Sequence, residues 1–235
     1  LETQRRAREM SALVEVGREI SSSLDASTVL EGIARHARDL LQGNLSALFL
    51  PEGDGSIFRA IAAMGEEAVE VRNDMIKLGE GLLGDIARTK VGEIVNDTNA
   101  DPRTLLIAGT EEAPDEHMIA VPLLANDQLK GLMAVWRNGK GNEFVEAELE
   151  FLNGLARQAV IAIQNTQLYS EITESLEQQT ATSEILRVIA ESPTDIQPVL
   201  NVIAENARRL CGSTLSAVYR TDGRMVFEAA ATDLS

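Results

Sequence analysis

Apolar positions along this chain change their period several times, and each change marks an element. Residues 3–22 carry Ala7, Met10, Leu13, Val14, Val16 and Ile20 near the 3.6-residue period. Charges fill the other face, so a helix is predicted there, ended by Ser21-Ser22-Ser23. Asp25 is placed to cap a second helix over 26–41, with apolar positions Val29, Leu30, Ile33, Ala34, Ala37, Leu40 and Leu41. The apolar runs then shorten. Residues 45–50 and 58–64 read as a hairpin around Glu52-Gly53-Asp54-Gly55. A third strand is expected over 75–78. Gly79-Glu80-Gly81-Leu82-Leu83-Gly84 then opens a short helix to Thr89, and a fourth strand covers 93–97. A long polar stretch over 98–116 contains Asp101-Pro102 and the acids Glu111, Glu112, Asp115 and Glu116. Two more strands, 117–124 and 129–136, flank a turn at Asn126-Asp127.

From Asn142, a helix cap, apolar residues recur at threes and fours as far as Ile189. An unbroken helix from Phe144 to Glu191 would be about 70 Å long at 1.5 Å per residue. A compact domain cannot bury that length, and the economical partner is a second copy of the same helix. Leu155, Leu168, Ile172, Leu176, Leu186 and Ile189 are the candidate dimer seam, with Asn165, Gln179 and Ser183 as polar interruptions. A seam of that kind leaves two packings close in energy, which suits a transmitter. Ser192-Pro193 stops the helix, and Asp195 caps the next, with Pro198 in its first turn.

That next helix repeats an earlier one. Residues 30–50 align without a gap on 200–220, and nine of the twenty-one positions are identical. Among them are Leu30/Leu200, Ala34/Ala204, Arg38/Arg208 and Leu45-Ser46-Ala47/Leu215-Ser216-Ala217. Tandem domains are expected from this spacing, the second incomplete after two strands. Its output is expected beyond Ser235. The expected boundaries are an N-terminal signalling helix over 1–22, a complete domain over 23–165, a helical linker over 166–192 and a truncated repeat over 193–235.

Composition narrows the partners. The net charge is −16 and aromatic content 3 %, so a nucleic acid is repelled and the core is aliphatic. No apolar run approaches the ~18 residues needed to span a bilayer. The single cysteine, Cys211, forbids an internal disulfide framework, and a cytoplasmic location is the default expectation. Cys211 aligns with Leu41 in the repeat and is expected in a core.

Four stretches in order carry a family resemblance: residues 78–87 (LGEGLLGDIA), 94–103 (IVNDTNADPR), 120–124 with 131–135 (AVPLL, GLMAV) and 151–169 (FLNGLARQAVIAIQNTQLY). Together they resemble a GAF domain. The resemblance implies an α+β, PAS-related fold: a six-stranded antiparallel sheet with helices on one face and a ligand pocket on the other. The junction 177–199 (EQQTATSEILRVIAESPTDIQPV) is similar to those between repeats of bacterial multi-GAF sensor histidine kinases. The expected function is therefore a sensory and dimerising module of a two-component signal-transduction protein, with no catalysis in this segment. The alternatives are a ligand-free dimerisation module and a cyclic-nucleotide or haem receptor.

The pocket is expected under residues 79–89 and 98–117, lined by Met64, Leu82, Leu83, Ile86, Asp97, Arg103, Leu106, His117, Ile119, Val121 and Met133. Arg103 or Asp97 could fix a small polar ligand, but the simpler reading is local: Asp97 or Thr98 caps a turn, Asp101-Pro102 begins another, and His117 is polar strand surface. His117 is the one histidine placed for haem. A bilin or a sulfoxide-reducing thiol is excluded from residues 1–210, which hold no cysteine. Asn138, Lys140, Phe144 and Glu148 follow the cyclic-nucleotide signature only in part, and Phe144 reads equally well as core. No metal site, cofactor or catalytic constellation is expected.

Overall fold

The computed structural model describes residues 26–110, 112–191 and 195–232. The expected helix over 3–22, the Asp25 cap, Glu111 and the Ser192-Pro193 stop lie outside them. The chain divides into two compact units, Leu1–Thr166 and Gln167–Ser235.

The first unit begins with α1 (Ala26–Leu40), β1 (Leu45–Glu52) and β2 (Ile57–Gly65). It continues through α2 (Ala68–Asn73), β3 (Met75–Lys77), α3 (Gly81–Thr89) and β4 (Glu93–Asn96). A single 3-10 turn (Thr98–Ala100) precedes β5 (Glu116–Ala125) and β6 (Gln128–Asn138), and α4 (Glu146–Glu191) follows. The strands form one six-stranded antiparallel sheet in the order β3-β2-β1-β6-β5-β4. Pairing of β1 with β6 joins the start of the domain to its end, so the connection between β2 and β5 must travel over one face of the sheet. Helix α2 is too short for a periodic signal and is an addition to the sequence reading.

The two faces bury different residues because side chains alternate along a strand. The row Leu48, Met133 and Val121 runs across β1, β6 and β5, and packs with Ile33 and Ala37 of α1 and Leu152 and Leu155 of α4. Leu155, expected in the dimer seam, is thus fully buried within its own domain, because the first turns of α4 cover the sheet. The opposite face carries Phe49, Leu132, Trp136 and Met118, covered by Val71 of α2 and by Leu82 and Ile86 of α3. Helices therefore occupy both faces: the long α1 and α4 on one, the short α2 and α3 on the other.

One buried cation ties the strands to the exit helix. Arg137, at the end of β6, donates to the carbonyls of Leu41, Asn142 and Glu143 at 2.9, 2.6 and 2.9 Å. Its two Nη atoms also reach the Glu148 carboxylate at 3.3 Å, and its guanidinium lies 4.0 Å from the Phe144 ring. Glu148 in turn accepts the Val145 N–H at 2.9 Å, the reach-back half of a capping box that starts α4. On the edge strand β4, the Asn96 amide both donates to the Phe144 carbonyl and accepts its N–H. This pair of bonds ties β4 to the segment that leads into α4.

The second unit holds the rest of α4, then α5 (Gln197–Leu210), β7 (Ala217–Thr221) and β8 (Val226–Ala231). The β7–β8 hairpin has a register shift between Val218 and Tyr219, the repeat equivalents of Leu48 and Phe49, where β1–β2 shifts too. Leu200 and Ala204 are buried like Leu30 and Ala34. Leu215 and Tyr219 are exposed, whereas Leu45 and Phe49 are buried. Cys211 is also exposed, against the expectation of a core position. Leu41 belongs to the core cluster shared with β6 and α4, and the described residues of this unit contain no second copy of those elements.

Candidate functional site

Between the sheet and its overlying connection lies a cavity of about 530 Å³. Its floor is one register row, Leu45, Trp136 and Met118, with Phe49 beside it. One wall comes from α2 and β3 through Val71, Asp74, Met75 and Ile76, and another from the start of α3 through Glu80, Leu82 and Leu83. The segment from Asp101 to Thr110 closes it, contributing Leu105, Leu106 and Ile107.

The glycine-rich turn shapes the wall of the cavity. Gly81 has φ +72°, which favours glycine at the entry to α3. A Cβ on Gly84 would stand 2.1 Å from the Lys77 carbonyl oxygen, so only glycine lets α3 sit against the end of β3. The Gly79 N–H and the Gly84 carbonyl close the turn at 2.7 Å.

Of the pocket residues expected from sequence, Leu82, Leu83 and Leu106 line the cavity. Met64, Ile119, Val121 and Met133 belong to the other face and pack toward α1 and α4. They are one position out of phase with the lining residues Met118 and Trp136. Ile86 is buried in the cluster beneath the cavity without lining it. Asp97, at φ 104°, caps the 3-10 turn by accepting the Ala100 N–H at 3.1 Å. His117 is buried, not strand-edge surface, and its Nε2 donates to the Gly139 carbonyl at 3.2 Å. Its ring is absent from the cavity lining, which removes the one imidazole expected to ligate haem there. Phe49, Met118 and Trp136 were missed.

Arg103 also lies outside the lining, and its donors are committed to carboxylates. Its Nη atoms span both oxygens of Glu93 at 3.0 and 2.7 Å. Nε and Nη2 reach Asp101 at 3.0 and 2.7 Å, and Nη1 reaches Asp85 at 3.0 Å. One side chain thereby pins the closing segment to β4 and α3. Hydrogen bonds to Asp101, then Glu93, raise the guanidinium above its ordinary value. Arg103 holds Asp101 below the usual carboxylate range, and Arg88 followed by Arg103 does the same for Asp85.

The partial cyclic-nucleotide signature resolves into packing. Phe144 is buried under Arg137, Glu148 pairs with Arg137, and the Asn138 backbone N–H donates to the Asn44 side chain. Among the described residues no group of three or more His, Cys, Asp or Glu side chains could hold a metal ion. None of the described helices is long and apolar enough to cross a membrane. Along α4 beyond Thr166, Leu168, Ile172, Leu176, Leu186 and Ile189 are all exposed, Ile172 at 64 %.

Comparison with known proteins places this geometry. A family model described as GAF domain matches residues 23–164. A Nif-specific regulatory protein of Herbaspirillum seropedicae is 24 % identical over 174 residues, covering 72 % of this chain and 31 % of that protein. The chain thus spans about a third of that relative's length. The solved GAF domain of a phosphoenolpyruvate-protein phosphotransferase (ptsP) from Coxiella burnetii superimposes with a TM-score of 0.62. Identity is 18 %, covering 69 % of this chain and 96 % of that one. The free methionine-R-sulfoxide reductase of Neisseria meningitidis, solved with its substrate, gives a TM-score of 0.59 at 15 % identity. It covers 69 % of this chain and 92 % of that one. At such identities the two structures speak to the fold alone.

Proposed function

We propose, from the premise that the chain belongs to the GAF domain family, that its first unit senses a small molecule and passes the result along α4. The observation that carries this reading is the cavity of about 530 Å³, closed by a segment held in place by Arg103. An occupant touching Leu105, Leu106 and Ile107 would bias the position of that segment. A ligand shifts such an equilibrium only as far as it prefers one arrangement. Trp136, in the cavity floor, is followed along β6 by Arg137, which grips the first turn of α4 through Glu148.

The exposed apolar row from Leu168 to Ile189 supports a homodimer formed through α4. The Nif-specific regulatory relative favours a transcription regulator as the whole protein's output over the histidine kinase expected from sequence. Native mass spectrometry of the purified chain tests the sensing reading. A small molecule retained by the first unit and lost on unfolding supports it. An empty cavity in protein taken from cells under varied growth conditions favours a module that only dimerises.

A further inference from the structure

The cavity's lining is charged in one direction. Among the described residues, six acids line it, Glu67, Asp74, Glu80, Asp101, Glu112 and Glu116, against one cation, Lys77. Lys77 is paired with Glu80 at 3.2 Å. Arg103, outside the lining, is shared by three acids, Asp101 among them, so Glu80 and Asp101 are both offset and the excess negative charge lies with Asp74, Glu112 and Glu116. A second observation concerns the mouth. Met75, Leu105 and Leu106 line the cavity yet remain exposed, Leu105 at 61 %. Large apolar side chains left in water beside a cavity mark a surface that something covers. The floor beneath them is aromatic and aliphatic: Phe49, Trp136, Leu45 and Met118.

From the sign of the lining and the apolar floor and mouth together, we infer that the occupant is an amphipathic cation: a small amine with an aromatic or branched apolar body. This rests on the sensing reading given above. An apolar body removes Leu105, Leu106 and Trp136 from contact with water. An ammonium group gains from the carboxylates, while a phosphate or carboxylate ligand would have to enter against them. The same charge balance opposes a cyclic nucleotide.

Trp136 is the sole tryptophan of the chain and lines the cavity, so its emission reports occupancy directly. Three probes of similar size separate charge from shape: phenethylamine, 2-phenylethanol and phenylacetate. The amine is expected to perturb Trp136 at a concentration at least tenfold lower than the alcohol, with the carboxylate weakest. The preference should shrink as sodium chloride is raised. Paired substitution of Asp74→Asn and Glu112→Gln should weaken the amine at least fivefold and leave the alcohol unchanged, with unaltered thermal unfolding as the folding control. Equal or tighter binding of the alcohol or carboxylate overturns the cationic class and leaves the cavity a binding site. Silence of Trp136 toward all three overturns the amine proposal. The sensing reading is then decided by native mass spectrometry, where a retained molecule of other chemistry would keep it standing.

Discussion

Arg103 and Glu93 meet fork to fork, both Nη atoms on both carboxylate oxygens, at 3.0 and 2.7 Å. A planar guanidinium makes this contact and a lysine cannot. Arg103→Ala is expected to cost about 1–2 kcal/mol, since the pair is partly open to water. Arg103→Lys should recover less than half of that. Urea unfolding measures the loss. Hydrogen exchange should show faster exchange between Asp101 and Thr110 than in the parent.

Acid should loosen the same segment. Asp101 and Asp85 titrate lower in the folded chain than when unfolded, Asp101 because of Arg103 and Asp85 because of Arg88, then Arg103. Their stabilisation is therefore complete above the ordinary aspartate value, about pH 4, and is lost as pH falls through the depressed folded values. Stability against urea should be flat from pH 7 to 5 and drop below pH 4. In Asp101→Asn the drop should be smaller. An identical acid profile in that variant would contradict the assignment.

Glu148 completes a buried pair with Arg137 and caps α4 through the Val145 N–H. Glu148→Ala leaves a cation buried with one partner fewer and is expected to cost about 3 kcal/mol. Replacing both residues, as Arg137→Met with Glu148→Leu, should cost less than the sum of the single changes. A double-mutant cycle in urea reads the coupling.

At Gly84 a methyl group has no room against the Lys77 carbonyl. Gly84→Ala should cost about 2 kcal/mol or more and shift Trp136 emission, because the wall made by α3 must move. Unchanged thermal unfolding would show that the turn accommodates a side chain after all.

Exposed leucines and isoleucines on α4 should hold two copies together. Leu168→Ser with Ile172→Ser removes apolar area at two seam positions, each worth about 1.5 kcal/mol or more. The dissociation constant should rise at least a hundredfold in equilibrium sedimentation. A dimer of unchanged strength would place the interface elsewhere.

Much of the first unit was legible because its periods are clean. The hairpin of β1 and β2, the glycine turn before α3 and the long α4 all follow from alternation, turn residues or threes and fours. The face of β5 and β6 was not legible, for a physical reason. His117 to Leu124 and Leu132 to Trp136 are apolar almost without interruption, since both faces of these strands are buried. Alternation then carries no phase, and choosing Ile119, Val121 and Met133 over Met118 and Trp136 shifted the lining by one residue. Leu82, Leu83 and Leu106 escaped the ambiguity because they sit on a helix start and a loop. From its loop position Arg103 is expected in the pocket, with a local turn as the simpler reading. Spacing along the chain does not show that Asp85 of α3 and Glu93 of β4 join the neighbouring Asp101 on its guanidinium.

The irregularity shared by β1–β2 and β7–β8 has a practical meaning. A one-residue slip bends a ribbon by its own backbone, whatever lies against it. Each hairpin therefore carries its own curvature: grafted in place of the first, the second is expected to arrive already curved, needing a longer tip and new side chains to fit.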